Sequence, residues 1–171
     1  LDDGKSLGLL AASCKLEFKW VNNNNHIFLD GIDLGLSIRT PEISLAASKI
    51  SAYPEVRQAL LDLQRKLGES GGAVLEGRDI GTVVFPSADV KFYLTASVDC
   101  RVRRRMIELE EKGTYQSFEE VRRQVIARDK ADMERKVAPL KKADDAIEVY
   151  TTDMTIEKVI DTLEKTVRSR M

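Results

Sequence analysis

The interleaving of short apolar runs with helical patterns from residue 73 onward constrains this fold more than any other feature. Ala73-Val74-Leu75, Val90-Lys91-Phe92-Tyr93-Leu94 and Ala146-Ile147-Glu148-Val149-Tyr150 have the length and residue types of buried strands. A helix is expected from about Asp99 to Lys112, stopped by Gly113. Ser117 and Glu120 form a capping box for a longer helix reaching toward Arg135. Ile156, Val159, Ile160, Leu163 and Val167 mark a closing amphipathic helix. Strands alternating with helices in this way imply an α/β fold with a parallel sheet flanked by helices.

The first 70 residues carry a different pattern. Residues 6–14 read as the end of a helical segment. Leu16, Phe18 and Trp20 alternate with Lys15, Glu17 and Lys19, the period of a half-buried strand. Residues 22–25, all asparagine, make a polar turn, and His26 to Asp30 return as the second strand of a hairpin. His26 is the only histidine and is expected to cap the end of that strand. After Pro41 a helical stripe of Ile43, Ala46, Ala47 and Ile50 appears. A second helix starts at Pro54, carries Val56, Leu60 and Leu67, and ends at Gly71-Gly72. The expected organisation is a core helical end at 1–14, an inserted unit at 15–70, core at 71–127, a closing segment at 128–142, and core again at 143–171.

Within the core, the run Glu76-Gly77-Arg78-Asp79-Ile80-Gly81-Thr82-Val83-Val84-Phe85-Pro86 sets an arginine beside a carboxylate, just past the first strand and between two glycines. At the carboxyl end of a strand in an α/β sheet, such residues project into the crevice where ligands bind. The glycines permit a tight turn and close approach of a phosphate to the backbone. A strand-to-turn connection with a surface ion pair accounts for the same residues equally well.

Arg128, Asp132 and Arg135 are spaced by four and then three, which places a carboxylate between two cations on one helix face. Such a face suits a phosphate and a sugar hydroxyl, though spacing alone slightly favours a solvated, salt-bridged helix. Residues 128–142 hold six basic and three acidic side chains, an excess suited to closing over polyphosphate. Arg101, Arg103, Arg104 and Arg105 suggest nucleic acid at first sight, but Glu108, Glu110 and Glu111 are close enough to pair with them. Gly4-Lys5-Ser6 matches only the last three residues of a phosphate-binding loop. It lacks the preceding glycine and strand, and is rejected as a cradle.

Composition narrows the classes further. Hydrophobic residues at 43% and charged residues at 32% describe a soluble globular protein, expected in the cytoplasm. A net charge of −1 disfavours general binding to nucleic acid. No apolar run approaches the roughly 20 residues of a membrane span, so no membrane partner is expected. Cys14 and Cys100 lie far apart, without CxxC spacing, and read as reduced packing residues. A lone histidine leaves no material for a His-based metal site, and no protein metal ligand is assigned.

Over nearly its full length the chain resembles bacterial cytidylate kinases. The resemblance rests on Ile38-Arg39-Thr40-Pro41-Glu42, Ala46-Ala47-Ser48, Pro54-Glu55-Val56-Arg57, Glu76 through Pro86, Lys112-Gly113, Arg128-Asp129 and Val137-Ala138-Pro139-Leu140. It implies a P-loop nucleoside monophosphate kinase-like sheet with an inserted nucleotide-binding subdomain at 15–70 and a lid-like segment at 128–142. It also implies ATP-dependent phosphorylation of CMP and dCMP, with Mg²⁺ carried by ATP. By the same resemblance Arg57 and Asp79 hold the cytosine, Ser48, Arg128 and Asp132 contact the pentose, and Arg78 and Arg135 surround the phosphates. Arg128 and Arg135 are the expected catalytic pair, and a monomer is expected.

The family opens with a strand, a P-loop and a helix that grip ATP, and the sequence contains none of them. The 171 residues are therefore expected to belong to a longer chain and to have no kinase activity alone. Each buried backbone group left unpaired by a missing strand costs roughly 1–3 kcal/mol, against a net stability of about 5–15 kcal/mol. A CMP-binding remnant without transferase activity and a kinase for UMP or AMP are the alternatives. A nucleic-acid-binding protein using the arginine helix is the third.

Overall fold

The computed structural model describes residues 2–22, 24–35, 37–69 and 71–170, without the side chains of residues 39 and 41. Asn23 of the expected turn, and the side chains of Arg39 and Pro41 in the Arg39-Thr40-Pro41 motif, lie outside the described residues. The chain forms two compact units, Leu1–Val74 and Leu75–Met171. No described helix is long and apolar enough to cross a membrane.

The first unit begins with α1 (Gly4–Ser13). Asp3 caps it, accepting the N–H groups of Lys5 and Ser6 at 3.1 and 3.2 Å. The rejected Gly4-Lys5-Ser6 is thus an ordinary capped helix start, its amides already engaged. α1 packs along α3 (Pro54–Gly68). Gly8 makes the approach possible, because a Cβ there would stand 2.7 Å from the Glu55 Cβ. Between these helices in sequence lie β1 (Leu16–Val21), β2 (Asn24–Leu29) and β3 (Ile32–Asp33). They form an antiparallel sheet in that order, with Leu16 opposite Leu29 and Val21 opposite Asn24. A 3₁₀ turn at Ser37–Arg39 leads to α2 (Pro41–Ile50), capped by the Thr40 hydroxyl at 3.2 Å from the Ile43 N–H.

Two expectations in this unit need correction. The hairpin forms, with Asn24 and Asn25 in β2 rather than in the turn, but β1 shows no alternating burial: Phe18 and Trp20 are 41% and 77% exposed. Ladder pairing, rather than a buried face, holds β1. His26 does not cap a strand end. It lies inside β2, its Nδ1 2.7 Å from Asp33 Oδ2 on β3. That contact pulls the Asp33 carboxyl below the ordinary aspartate range, assisted by the Gly35 N–H.

In the second unit β4 (Phe92–Thr95) and β5 (Ile147–Tyr150) pair in parallel, Phe92 opposite Ile147 and Thr95 opposite Tyr150. This is the α/β arrangement expected from the apolar runs, in a two-stranded sheet. α4 (Val98–Glu111) and α5 (Phe118–Glu134) pack on each other through Val102, Leu109 and Val121, with Val98, Met106, Phe118 and Val125 around them. The capping box forms: Glu120 N–H donates to Ser117 Oγ at 3.3 Å, and Ser117 N–H to Glu120 Oε2 at 2.9 Å. α6 (Ile156–Arg168) closes the unit with Val159, Leu163 and Val167 half-buried, while Ile156 and Ile160 remain exposed.

The strand expected at 73–75 does not form. These residues have no ladder, and Val74 is fully exposed. Three apolar residues satisfy the pattern for a strand, but a strand exists only with a partner for its N–H and C=O groups. Among the described residues the parallel sheet offers none. The arginine helix also departs from expectation. Arg105 pairs with Glu108 at 2.9 Å, but Arg101 turns to Asp129 and to the Ala96 carbonyl. Arg104 grips Thr151 through Oγ1 at 3.0 Å and the carbonyl at 2.7 Å. These cations tie α4 to α5 and to the end of β5.

Candidate functional site

The turn at Arg78-Asp79 is built by hydrogen bonds converging on one carbonyl. Residues Ile80–Val84 form a single π-helical turn. The Asp79 carbonyl accepts the N–H of Val83 at 2.9 Å and those of Thr82 and Val84 at 3.3 Å each. Val84, 2% exposed, pins the turn to the interior. The flanking glycines make room for side chains rather than supplying unusual backbone angles. A Cβ on Gly77 would stand 2.8 Å from Ile80, and one on Gly81 3.2 Å from Lys91 Cδ.

The second element is the end of α5. The helix stops at Glu134, and Arg135 is its extended C-cap at φ −60, ψ 141. Arg128, Asp132 and Arg135 therefore do not share one helical face, as their spacing suggested. Arg135 has left the helix and points elsewhere. The chain then folds back on the helix end. The Leu140 N–H donates to the Asp132 carbonyl at 2.8 Å, and Arg135 Nε donates to the Ala138 carbonyl at 2.6 Å. Ala138 sits at φ 49, in the left-handed region that costs a residue with a Cβ about 1 kcal/mol or more.

These two elements meet through ion pairs. Arg78 Nε donates to Asp132 Oδ2 at 2.8 Å, and Arg128 Nε lies 4.0 Å from the same oxygen. Arg135 Nη2 lies 3.6 Å from Asp79 Oδ1, with both side chains about nine-tenths buried. Two buried carboxylates thus orient three arginines. The side chains of Arg78 and Arg128 are about half exposed. Arginine forks meet phosphate oxygens in pairs and keep their charge at any working pH. With both carboxylates engaged by arginines, this donor set suits an anion rather than a bare cation.

Of the expected site residues, Arg78, Asp79, Arg128, Asp132 and Arg135 come together in the second unit. Ser48 and Arg57 belong to the first. There they are joined through Ser51, whose hydroxyl donates to the Ser48 carbonyl at 3.0 Å and whose carbonyl accepts Arg57 Nη1 at 3.3 Å. Lys91 and Asp145 were not singled out from the sequence. Their pairing had one visible signal, a lysine near the start of the apolar run that leads into β4. A cavity of about 230 Å³ opens between Gly81-Thr82 and residues 141–144, with Lys141, Lys142, Ala143 and Asp144 on its far wall.

Comparison with known proteins finds relatives of the chain. Residues 2–169 match the family model described as Cytidylate kinase. The chain is 48% identical over 169 residues to the Cytidylate kinase of Syntrophotalea carbinolica, covering 99% of the chain and 72% of that relative. It is 48% identical over 171 residues to that of Geobacter sulfurreducens, covering 99% and 72%. It is 40% identical over 171 residues to that of a Geobacillus species, covering 100% and 76%.

Proposed function

The chain belongs to the cytidylate kinase family of nucleoside monophosphate kinases, and from that premise we propose that it binds CMP and dCMP as acceptors of the ATP γ-phosphoryl group. The observation that carries this reading is the pair of buried carboxylates, Asp79 and Asp132, holding Arg135, Arg78 and Arg128. In the reaction an oxygen of the CMP phosphate attacks the γ-phosphorus. The bond from that phosphorus to ADP breaks, and CDP forms. Such transfers need little covalent chemistry from the protein and much positioning and charge neutralisation. Arg78 and Arg135 are assigned to the phosphates, Arg128, Asp132 and Ser48 to the pentose, and Arg57 and Asp79 to the cytosine. Arg128 and Arg135 are the catalytic arginines. Mg²⁺ rides on ATP and neutralises its oxygens when bound. The pairing of both carboxylates with arginines fits a metal that arrives with its substrate.

In this reading residues 15–70 are the acceptor-binding insert and 128–142 the segment that closes to exclude water. The remainder is core, and the protein is a cytoplasmic monomer acting in pyrimidine metabolism. A base pocket discriminates by leaving buried polar groups unpaired when the wrong ring enters. Calorimetric titration with CMP, dCMP, UMP and AMP tests the assignment. CMP and dCMP should bind at least roughly tenfold tighter than UMP and AMP, a difference of about 1.4 kcal/mol. Equal or tighter binding of UMP or AMP would transfer the chain to another acceptor.

A further inference from the structure

Lys91 is a charged residue where packing alone asks for none. It is 9% exposed, at the entrance to β4. Its ammonium donates to both oxygens of Asp145, at 2.9 and 2.7 Å, and to the Pro86 carbonyl. Its stem lies along Gly81, where a Cβ would stand 3.2 Å from Lys91 Cδ and 3.5 Å from Cγ. Its carbonyl accepts the Ile147 N–H at 2.9 Å, opening the parallel ladder. A methionine would fill the same channel without the desolvation cost of a buried ammonium. The lysine is therefore explained by what its charge holds.

From these contacts we infer that Lys91 is a positioning residue for the nucleotide site: with Asp145 it sets the spacing between the turn carrying Arg78 and Asp79 and the loop leaving Arg135. Gly81 lies two residues past Asp79, inside the turn whose amides bond to the Asp79 carbonyl. A shift at Gly81 is therefore carried to Asp79. On the other side, the loop from Arg135 returns to Asp132 through Leu140 and runs along the cavity wall of residues 141–144 to reach Asp145. The two segments are joined at Arg135–Asp79 and again at Lys91–Asp145. Removing the second joint frees the first to drift. The inference rests on the reading that these arginines and carboxylates hold CMP.

The test compares Lys91→Met and Asp145→Asn with the unaltered chain. The Asp145 side chain is 64% exposed, so its variant is expected to fold even where Lys91→Met does not. Two quantities are read well below the thermal midpoint: the CMP Kd by calorimetry and the hydrogen exchange of the Thr82, Val83 and Val84 amides. Both variants should weaken CMP binding roughly tenfold, a change of about 1.4 kcal/mol, and should speed exchange at those three amides. Unchanged exchange and unchanged Kd, beside a lowered midpoint, would reduce Lys91 to a packing residue and overturn the inference. Faster exchange in a chain whose unaltered form binds no CMP would uphold the joint and refute the nucleotide reading instead.

Discussion

Replacing Asp132 with asparagine keeps the shape of the side chain and removes the charge that Arg78 and Arg128 share. Asp132 is 7% exposed and accepts Arg78 Nε at 2.8 Å, with Arg128 Nε at 4.0 Å. A hydrogen bond to a charged group contributes about 1.5–3 kcal/mol, and one between neutral groups about 0.5–1.5. Breaking a fully buried pair costs about 3–5 kcal/mol. Here the two arginine side chains are 45% and 53% exposed, so water can reach both. The expected loss is therefore at the lower end, about 1–2 kcal/mol, or a fall in thermal midpoint of roughly 2–8 °C for a chain of this size. Differential scanning calorimetry of Asp132→Asn against the unaltered protein measures it. CMP affinity, followed by titration, should fall with it, because both arginines lose the group that aims them. An unchanged midpoint together with unchanged CMP affinity would mean that Asp132 organises nothing, and the reasoning from buried carboxylate to oriented arginine would fail.

Ser117→Ala removes half of the capping box of α5 and should cost about 1 kcal/mol, read from urea unfolding; no loss would mean the box is not closed in solution. Gly8→Ala adds a helix-favouring methyl worth about 1 kcal/mol, but places it 2.7 Å from Glu55 Cβ and 3.0 Å from the Glu55 backbone. The overpacking cost of about 1–3 kcal/mol should prevail, and a stabilised variant would show that α1 and α3 do not approach so closely. The Asp33 carboxyl is held below the usual range by the His26 hydrogen bond, so its folded value lies below the unfolded 3.8. That stabilisation is present above 3.8 and is lost as pH falls through the folded value. The midpoint gap between the unaltered protein and Asp33→Asn should therefore close in acid, and a gap independent of pH would contradict the assignment.

What could be read in advance was local. The Ser117–Glu120 box, the stop before Gly113 and the apolar runs of β4 and β5 are each set by residues within a few positions of one another. The strand at 73–75 fails because its apolar run says nothing of whether a partner lies beside it. Spacing alone sets Arg135 on the face of α5, because residue spacing carries no mark of where a helix ends. The pairs Arg78–Asp132 and Lys91–Asp145 each span 54 residues, and Arg135–Asp79 joins segments at a similar distance in sequence. Motif recognition could gather the first and third into one site, but only folding shows which carboxylate faces which arginine. Lys91 belongs to no such motif and becomes legible only through the groups around its ammonium.

The central claim is that arginines oriented by Asp79 and Asp132 receive the phosphate of a cytidine nucleotide. It is tested most directly by NMR of the arginine Nε–Hε groups during titration with CMP and, separately, with cytidine. The account predicts that the Arg78 and Arg135 signals move with CMP and much less with cytidine, which lacks the phosphate, while the Arg128 signal, assigned to the pentose, moves with both. Saturable CMP binding that leaves all three signals in place would put the nucleotide elsewhere on the chain and contradict the account.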